Sequence, residues 1–363
     1  MSTRNNLVEF ERFIYSILVV GYHIQSTFLR NADSNFFENG LNAVEFFFLV
    51  SGYFMARSIE KISSKENPSV FNETFNFMKN KIKSILPVHI VSNIIMIIYI
   101  IIKPITTTKE MLINGLPSFF LVQMIVVWNN SYLQAYNIPE WYISTMLLCM
   151  LILVPISLLL RKKMSLFFVT LIPFSFMCIV YIIVGFCTKW KVPDNFFFDA
   201  RGWLELCSGM FAFCFSNYIK NFNSSVWLKI IEIFCYNAPI VLGFAPISNK
   251  YVNFILASTA LFVFVGLSIT FAGKGVVIKN EKLNAFFGYL GVISLPIYLF
   301  HAAVIFYLMS LGNKFNIWAI YLIFISITIL VSVIYKLIYD LIIMIINKIK
   351  NRKKENVPYQ SLA

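Results

Sequence analysis

Eleven apolar segments, most of them near the roughly 20 residues a helix needs to cross a bilayer, leave this chain little choice of fold. They lie near 12–28, 41–58, 84–102, 111–127, 141–160, 165–187, 203–219, 226–245, 251–272, 288–309 and 317–346. The expected fold is an all-α polytopic membrane protein. Composition agrees: 59% of the 363 residues are hydrophobic and 13% charged, where a soluble domain carries about 25% charged residues. No stretch is long or polar enough for a separate soluble domain. Residues 1–346 therefore read as one transmembrane domain and 347–363 as a basic cytoplasmic tail.

Charge decides the number of crossings. Segment 111–127 is the weakest, because it is short, contains Gly115 and Pro117, and runs into the polar stretch Asn129 to Glu140. If it does not cross, the loops alternate. All but eight of the 30 Lys and Arg then fall on one side, the exceptions being Arg30, Lys103, Lys109, Lys189, Lys191, Arg201, Lys250 and Lys314. A bias of this kind sets orientation. The expectation is a multi-pass cell-membrane protein with both termini cytoplasmic, about ten transmembrane helices, and one re-entrant or interfacial helix at 111–127. The net charge of +13 thus reads as positive-inside loops and attraction to anionic lipid, not as nucleic-acid binding.

Cys149, Cys178, Cys187, Cys207, Cys214 and Cys235 fall within or beside apolar segments without metal-type spacing. They read as small buried hydrophobes, with no disulfide framework and no metal site. Arg4 precedes an apolar run with no small-residue cleavage site after it, so the first helix is expected to be retained. Segment 317–346 is too long for a simple crossing. Lys336 and Asp340 lie four apart in it, and its second half is expected to run into the cytoplasm.

The stretch Arg12 to Arg57 carries the chemistry. A charged or ionisable group inside lipid is costly and is rarely there without a partner or a task. Arg12 and His23 are eleven positions apart, about three helical turns, and so share a face at different depths. Glu45 enters from the side towards which His23 heads, which allows a His23–Glu45 pair, a base held by a carboxylate. The plainer account is a polar pair tying two helices together. Arg12 and Arg57 suit phosphate recognition, although snorkelling explains either one alone. Ser51–Gly52 permits close helix approach. Phe46 to Phe48 read as bulk. Trp141–Tyr142 read first as an interfacial belt and Arg201 with Glu205 as an intrahelical ion pair. His301 closes SLPIYLFH in an outward-running helix, and His89, near Pro87, reads as structural.

Together these motifs resemble the acyltransferase-3 family of integral-membrane acyltransferases. The matching residues are Arg12 with His23, the stretch VEFFFLVSGYFMAR with Glu45, Ser51, Gly52 and Arg57, EWYIST at Glu140 to Thr145, RGWLELCSG at Arg201 to Gly209, and SLPIYLFH ending at His301. The resemblance spans about residues 8 to 340. It implies a ten-helix bundle moving an acyl group, commonly acetyl, from cytoplasmic acyl-CoA to a hydroxyl of an extracytoplasmic or lipid-linked carbohydrate. His23 is then the catalytic histidine, and Arg12 belongs to the same motif.

On this basis the donor phosphates are expected at Arg12 and Arg57, and His23, oriented by Glu45, removes the acceptor proton. Tyr298 or Arg201 steadies the developing charge, and Arg201, Trp141, Tyr298 and His301 face substrate. Acyl-CoA, acetyl-CoA in the first instance, is a donor substrate, and no cofactor is bound permanently. The expected partners are acyl-CoA, a carbohydrate acceptor and the lipid bilayer, with a homo-oligomer left open. The alternative is a transporter or flippase of a cell-envelope carbohydrate intermediate, because buried His, Glu and Arg also suit a proton-coupled carrier. A non-catalytic partner in an envelope assembly is a third reading. Acyl-CoA consumption separates the first from both others.

Overall fold

The computed structural model describes residues 5–28, 36–103, 113, 115–124, 135–186, 194–244, 252–309 and 315–355. Among them there is no strand, and ten helices have 19 or more residues. These are α1 (Asn6–Phe28), α2 (Ala43–Ser63), α3 (Val70–Ile102), α4 (Trp141–Arg161), α5 (Leu166–Phe186), α6 (Asp194–Ile219), α7 (Val226–Phe244), α8 (Val252–Phe271), α9 (Glu281–Tyr307) and α10 (Ile317–Glu355). Their starts follow local signals. Asn5 accepts from the Leu7 amide at 3.0 Å, Asn280 from Leu283 at 3.1 Å and Asn316 from Ala319 at 2.9 Å, which satisfies orphan donors of a first helical turn.

Six helices are long and apolar enough to cross a membrane: Val70–Ile102, Ile138–Arg161, Val226–Phe244, Asn253–Phe271, Glu281–Tyr307 and Ile317–Asn351. This makes the chain a multi-pass membrane protein. The polar residues of α1, α2 and α6 keep them out of that set, and two of them, Glu45 of α2 and Arg201 of α6, meet inside the bundle. α1 and α9 run parallel and in register, joined by Asn6–Asn284 at 2.8 Å, by Ser16 donating to the Ser294 carbonyl at 3.1 Å, and by His23 against His301. α2 and α6 are a second parallel pair, joined at Glu45–Arg201 and again at Tyr53–Ser216, 3.1 Å. Arg161 grips Glu60 with two hydrogen bonds of 2.9 and 3.0 Å, so α2 and α4 end on one side. We call it the basic end.

Small residues let α2 and α6 touch backbone to backbone. A Cβ on Gly52 would strike the Leu206 carbonyl, and one on Gly209 the Leu49 carbonyl. Close approach of this kind is what packs helices in a solvent as apolar as their own side chains. The expectation for Ser51–Gly52 is met. Of the aromatic run, Phe46 and Phe48 are fully buried core, Phe46 stacking on Tyr15 at 4.2 Å, whereas Phe47 lines a cavity.

Segment 111–127 is described at Ile113 and Gly115–Met124, the rest lying outside the described residues. It contributes one helical turn, Leu116–Phe119, followed by non-helical backbone over Phe120–Met124, packed against the middle of α3. Such backbone is tolerated at membrane depth only where protein groups satisfy it. Here the Ser118 hydroxyl accepts from Tyr136 N at 3.0 Å, the Ser144 hydroxyl accepts from Met124 N at 3.2 Å, and His89 Nε2 meets the Phe119 carbonyl at 2.9 Å.

His89 Nδ1 lies 3.0 Å from Glu140 Oε1. The two ring nitrogens of His89 are thus taken up by the Phe119 carbonyl and by Glu140, and the Asn93 side-chain amide also lies 3.1 Å from Nδ1. The fully buried Glu140 also accepts from Ser92 at 3.1 Å, from Asn93 at 2.9 Å on each oxygen, and from Asn137 at 3.3 Å. Asn137 donates onward to the Leu299 carbonyl of α9 at 2.9 Å. The structural role expected of His89 is thus tying the inserted segment to α3, α4 and α9.

At the far end, the α10 ion pair Lys336–Asp340 forms, and beyond it the apolar side chains from Leu337 to Ile346 are exposed. At 39 residues the helix is roughly 58 Å long, well beyond the ~30 Å hydrocarbon thickness. Residues 356–363 of the tail and Cys187 lie outside the described residues.

Two outcomes follow for the purified protein in detergent. His89→Ala and Glu140→Ala should each destabilise it by about 3–5 kcal/mol, because each strands a buried partner, and the double variant should cost less than the two together. Thermal unfolding midpoints measure this, and additive losses would mean the two groups do not form one unit. Gly52→Val should lower the midpoint through about 1–3 kcal/mol of overpacking; an unchanged midpoint would show that α2 and α6 do not touch there.

Candidate active site

A cavity of about 160 Å³ opens from the basic end between α1, α2, α3, α4 and α9. Its mouth carries Arg12 from α1 with Lys81 and Ser84 from α3; its inner end carries Phe47, Ser51, Tyr142, Ser294 and Tyr298. A wider vestibule of about 320 Å³, with Ser58 and Asn80 in its wall, shares Ser51, Phe54, Lys81 and Ser84 with it. Two cations and several hydroxyls thus frame an apolar shaft. Arg12 is part-buried and holds Glu9 at 3.3 Å.

Lys81 was hidden in the sequence within the basic stretch Arg57–Lys83. The signal that finds it is helical: with Ser84 and Ile85 at three and four positions on, it forms one face of α3, and all three line the cavity. Arg57 is exposed and lines neither cavity.

Beyond the shaft stand two histidines. His301 is fully buried; its Nδ1 lies 2.6 Å from the Tyr298 carbonyl, and its Nε2 has no hydrogen-bond partner among the described residues. A carbonyl only accepts, so Nδ1 carries the proton and Nε2 the lone pair. The His23 ring sits 4.9 Å from the His301 ring, tilted by 32°. The parallel register of α1 and α9 produces this meeting. Arg12 and His23 on α1 face Ser294, Tyr298 and His301 on α9, and the shaft runs from Arg12 as far as Tyr298, three residues before His301.

The expected His23–Glu45 pair gives way to another. Glu45 is fully buried and is held by Arg201, whose Nε donates to Oε1 at 2.6 Å and whose Nη2 bonds Oε2. The same nitrogen reaches the Leu41 carbonyl at 3.4 Å. The planar guanidinium fork matches both carboxylate oxygens, and a buried carboxylate needs a full counter-charge, which a neutral imidazole does not supply. Arg201 therefore pairs across helices rather than with Glu205, whose Oε2 is without a partner among the described residues.

Trp141 is buried, not part of an interfacial belt, and its ring lies 5.9 Å from the Arg201 guanidinium carbon, within cation–π range. Tyr142 is buried too, because α4 begins inside the bundle: its hydroxyl meets Ser51, two turns into α2, at 3.3 Å. Tyr298 lines the shaft, but its hydroxyl already donates to the Pro139 carbonyl at 2.7 Å. Tyr298 therefore lacks the idle donor expected of an oxyanion partner, while the bonds of Arg201 to Glu45 and Leu41 engage its Nε and Nη2. The Ser51–Tyr142 hydroxyl pair stands at that depth instead.

No match is found among curated proteins or among solved structures. A family description, "Acyltransferase domain", matches residues 8–337, which takes in Arg12, His23, Glu45, Arg201 and His301. The motifs that suggested a family, and the buried site they assemble, lie inside that match. The chain belongs to the acyltransferase-3 family and is a membrane acyltransferase.

Proposed function

We propose that the protein carries an acyl group from cytoplasmic acyl-CoA to a hydroxyl of an extracytoplasmic or lipid-linked carbohydrate, acetyl being the first donor to test. In this reading the ten long helices all cross, the segment around Leu116–Phe119 is re-entrant, and the basic end with both termini is cytoplasmic. The observation that carries it is the shaft itself: cations at the mouth, an apolar bore, and a pair of facing histidines just beyond.

The donor's phosphates lie against Arg12 and Lys81, with Arg57 as an outer contact beside the vestibule residue Ser58, and the pantetheine arm fills the shaft. His23 takes the proton from the acceptor hydroxyl. The alkoxide attacks the thioester carbonyl, and the Ser51–Tyr142 hydroxyl pair donates to the oxyanion. The tetrahedral intermediate collapses with loss of the CoA thiolate, which takes up the proton His23 had removed. His301, with its Nδ1–H fixed on the Tyr298 carbonyl, is the ring beside His23 and takes over the orienting role first given to Glu45. Glu45 and Arg201, with Trp141, form the rigid wall on the acceptor side.

The purified protein in lipid should release free CoA thiol from acetyl-CoA when crude envelope glycan is supplied. His23→Ala should lower the rate by about 10²-fold or more, the scale of a lost general base, with an unchanged unfolding midpoint. Lys81→Ala should raise KM for acetyl-CoA with little change in kcat, as expected for uniform binding. Full activity in His23→Ala would end the proposal. A carrier of a carbohydrate intermediate would consume no thioester at all.

A further inference from the structure

We propose that Phe47, Tyr142 and Tyr298 form a collar at the inner end of the shaft that admits short acyl groups and turns away long ones. This rests on the acyltransferase reading. The three rings close a triangle, with centroids 6.1 Å apart for Phe47–Tyr142, 5.9 Å for Phe47–Tyr298 and 5.7 Å for Tyr142–Tyr298. Aromatic rings at such separations are in packing contact, and no open bore is left between them. On the far side the Tyr298 ring lies 5.9 Å from that of His301. An acyl group on its way to the histidines has to pass this triangle.

Two of the rings are tied. Tyr298 is held by its bond to the Pro139 carbonyl, and Pro139 adjoins Glu140 with its buried donors. Tyr142 bonds Ser51 and packs edge-on against the fully buried Phe48 at 4.5 Å. Phe47 carries no polar group, so packing alone holds it and it is the ring free to yield. A chain that yields one side of a triangle passes only while it is slim and short, since each further methylene keeps the ring displaced against a close-packed neighbour.

Neither of the two larger apolar grooves receives a longer chain from the shaft. The larger apolar grooves, of about 340 Å³ beside Leu86 and Ile90 and about 540 Å³ beside Phe174 and Phe264, share no lining residue with the shaft. The space that does join the shaft, the vestibule with Ser58 and Asn80, lies on the donor side of the three rings. The collar therefore fixes chain length by exclusion, and Phe47 is the specificity-determining residue.

The test measures CoA thiol release by the full-length protein in lipid, supplied with crude envelope glycan and with acetyl-, butyryl-, hexanoyl- or decanoyl-CoA, for wild type, Phe47→Ala and Phe47→Leu. Wild type should favour acetyl over hexanoyl by about ten-fold or more in kcat/KM, the scale of pocket-size discrimination. Phe47→Ala should bring that ratio to within about three-fold, and Phe47→Leu, which disturbs packing least, should fall between. Equal rates on acetyl and hexanoyl thioesters in wild type would overturn the collar. So would an unchanged ratio in either Phe47 variant with a normal unfolding midpoint. Absence of thiol release from every thioester would overturn the acyltransferase reading itself, and the collar with it.

Discussion

A buried carboxylate in a membrane protein has to collect its hydrogen bonds from within, and the one at Glu140 organises the centre of this bundle. Side chains of His89, Ser92, Asn93 and Asn137 converge on it. Through them α3, the inserted segment, the start of α4 and, by way of Asn137, α9 are fixed to one another. Because Glu140 is anchored in the interior, α4 begins there, and its first two residues are site residues. Trp141 backs Arg201 and Tyr142 closes the shaft. Tyr298 is drawn to the same place by the Pro139 carbonyl. A single polar group that cannot be left unpaired thus sets the inner end of the cavity.

The second organising contact is the in-register parallel pairing of α1 with α9. A helix that places Arg12 and His23 three turns apart on one face needs a partner with polar groups at matching depths. α9 offers Ser294, Tyr298 and His301 at such intervals. The outcome is a polar seam inside the bundle, open at the basic end and ending in two imidazoles. α1 holds one side of this seam, and α2 and α6 hold the buried Glu45–Arg201 pair, and these polar residues are why composition alone marks α1, α2 and α6 as weaker membrane candidates.

Much of this was legible in the sequence, and the reasons are physical. Periodicity along one helix is a local property, so the shared face of Arg12 and His23, the close approach at Gly52, the Lys336–Asp340 pair and the weakness of segment 111–127 could all be read from spacing. Pairing between helices is not local. Glu45 and Arg201 are 156 residues apart, and whether Glu45 met His23 or Arg201 depended on how α2 sits against α6. Lys81 looked like one more cation of a basic loop until α3 was seen to start at Val70 and turn it inward. Trp141 and Tyr142 were read as surface aromatics because the chain before them was assumed to stay at the surface. Phe47 differs from Phe46 and Phe48 only by the direction in which α2 points it.

In the proposed reaction an acyl group enters at the basic end and leaves beyond the histidines, so that donor and acceptor are served from opposite faces. The most direct measurement uses sealed vesicles holding the protein in one orientation. Acyl-labelled acetyl-CoA is offered only to the face carrying Arg12 and Lys81, and crude envelope glycan is enclosed on the other. The expected result is CoA thiol on the donor face and labelled glycan on the opposite face, with neither product when acetyl-CoA is moved across. Labelled product on the donor face, or release indifferent to the face on which acetyl-CoA is given, would contradict passage through the bundle.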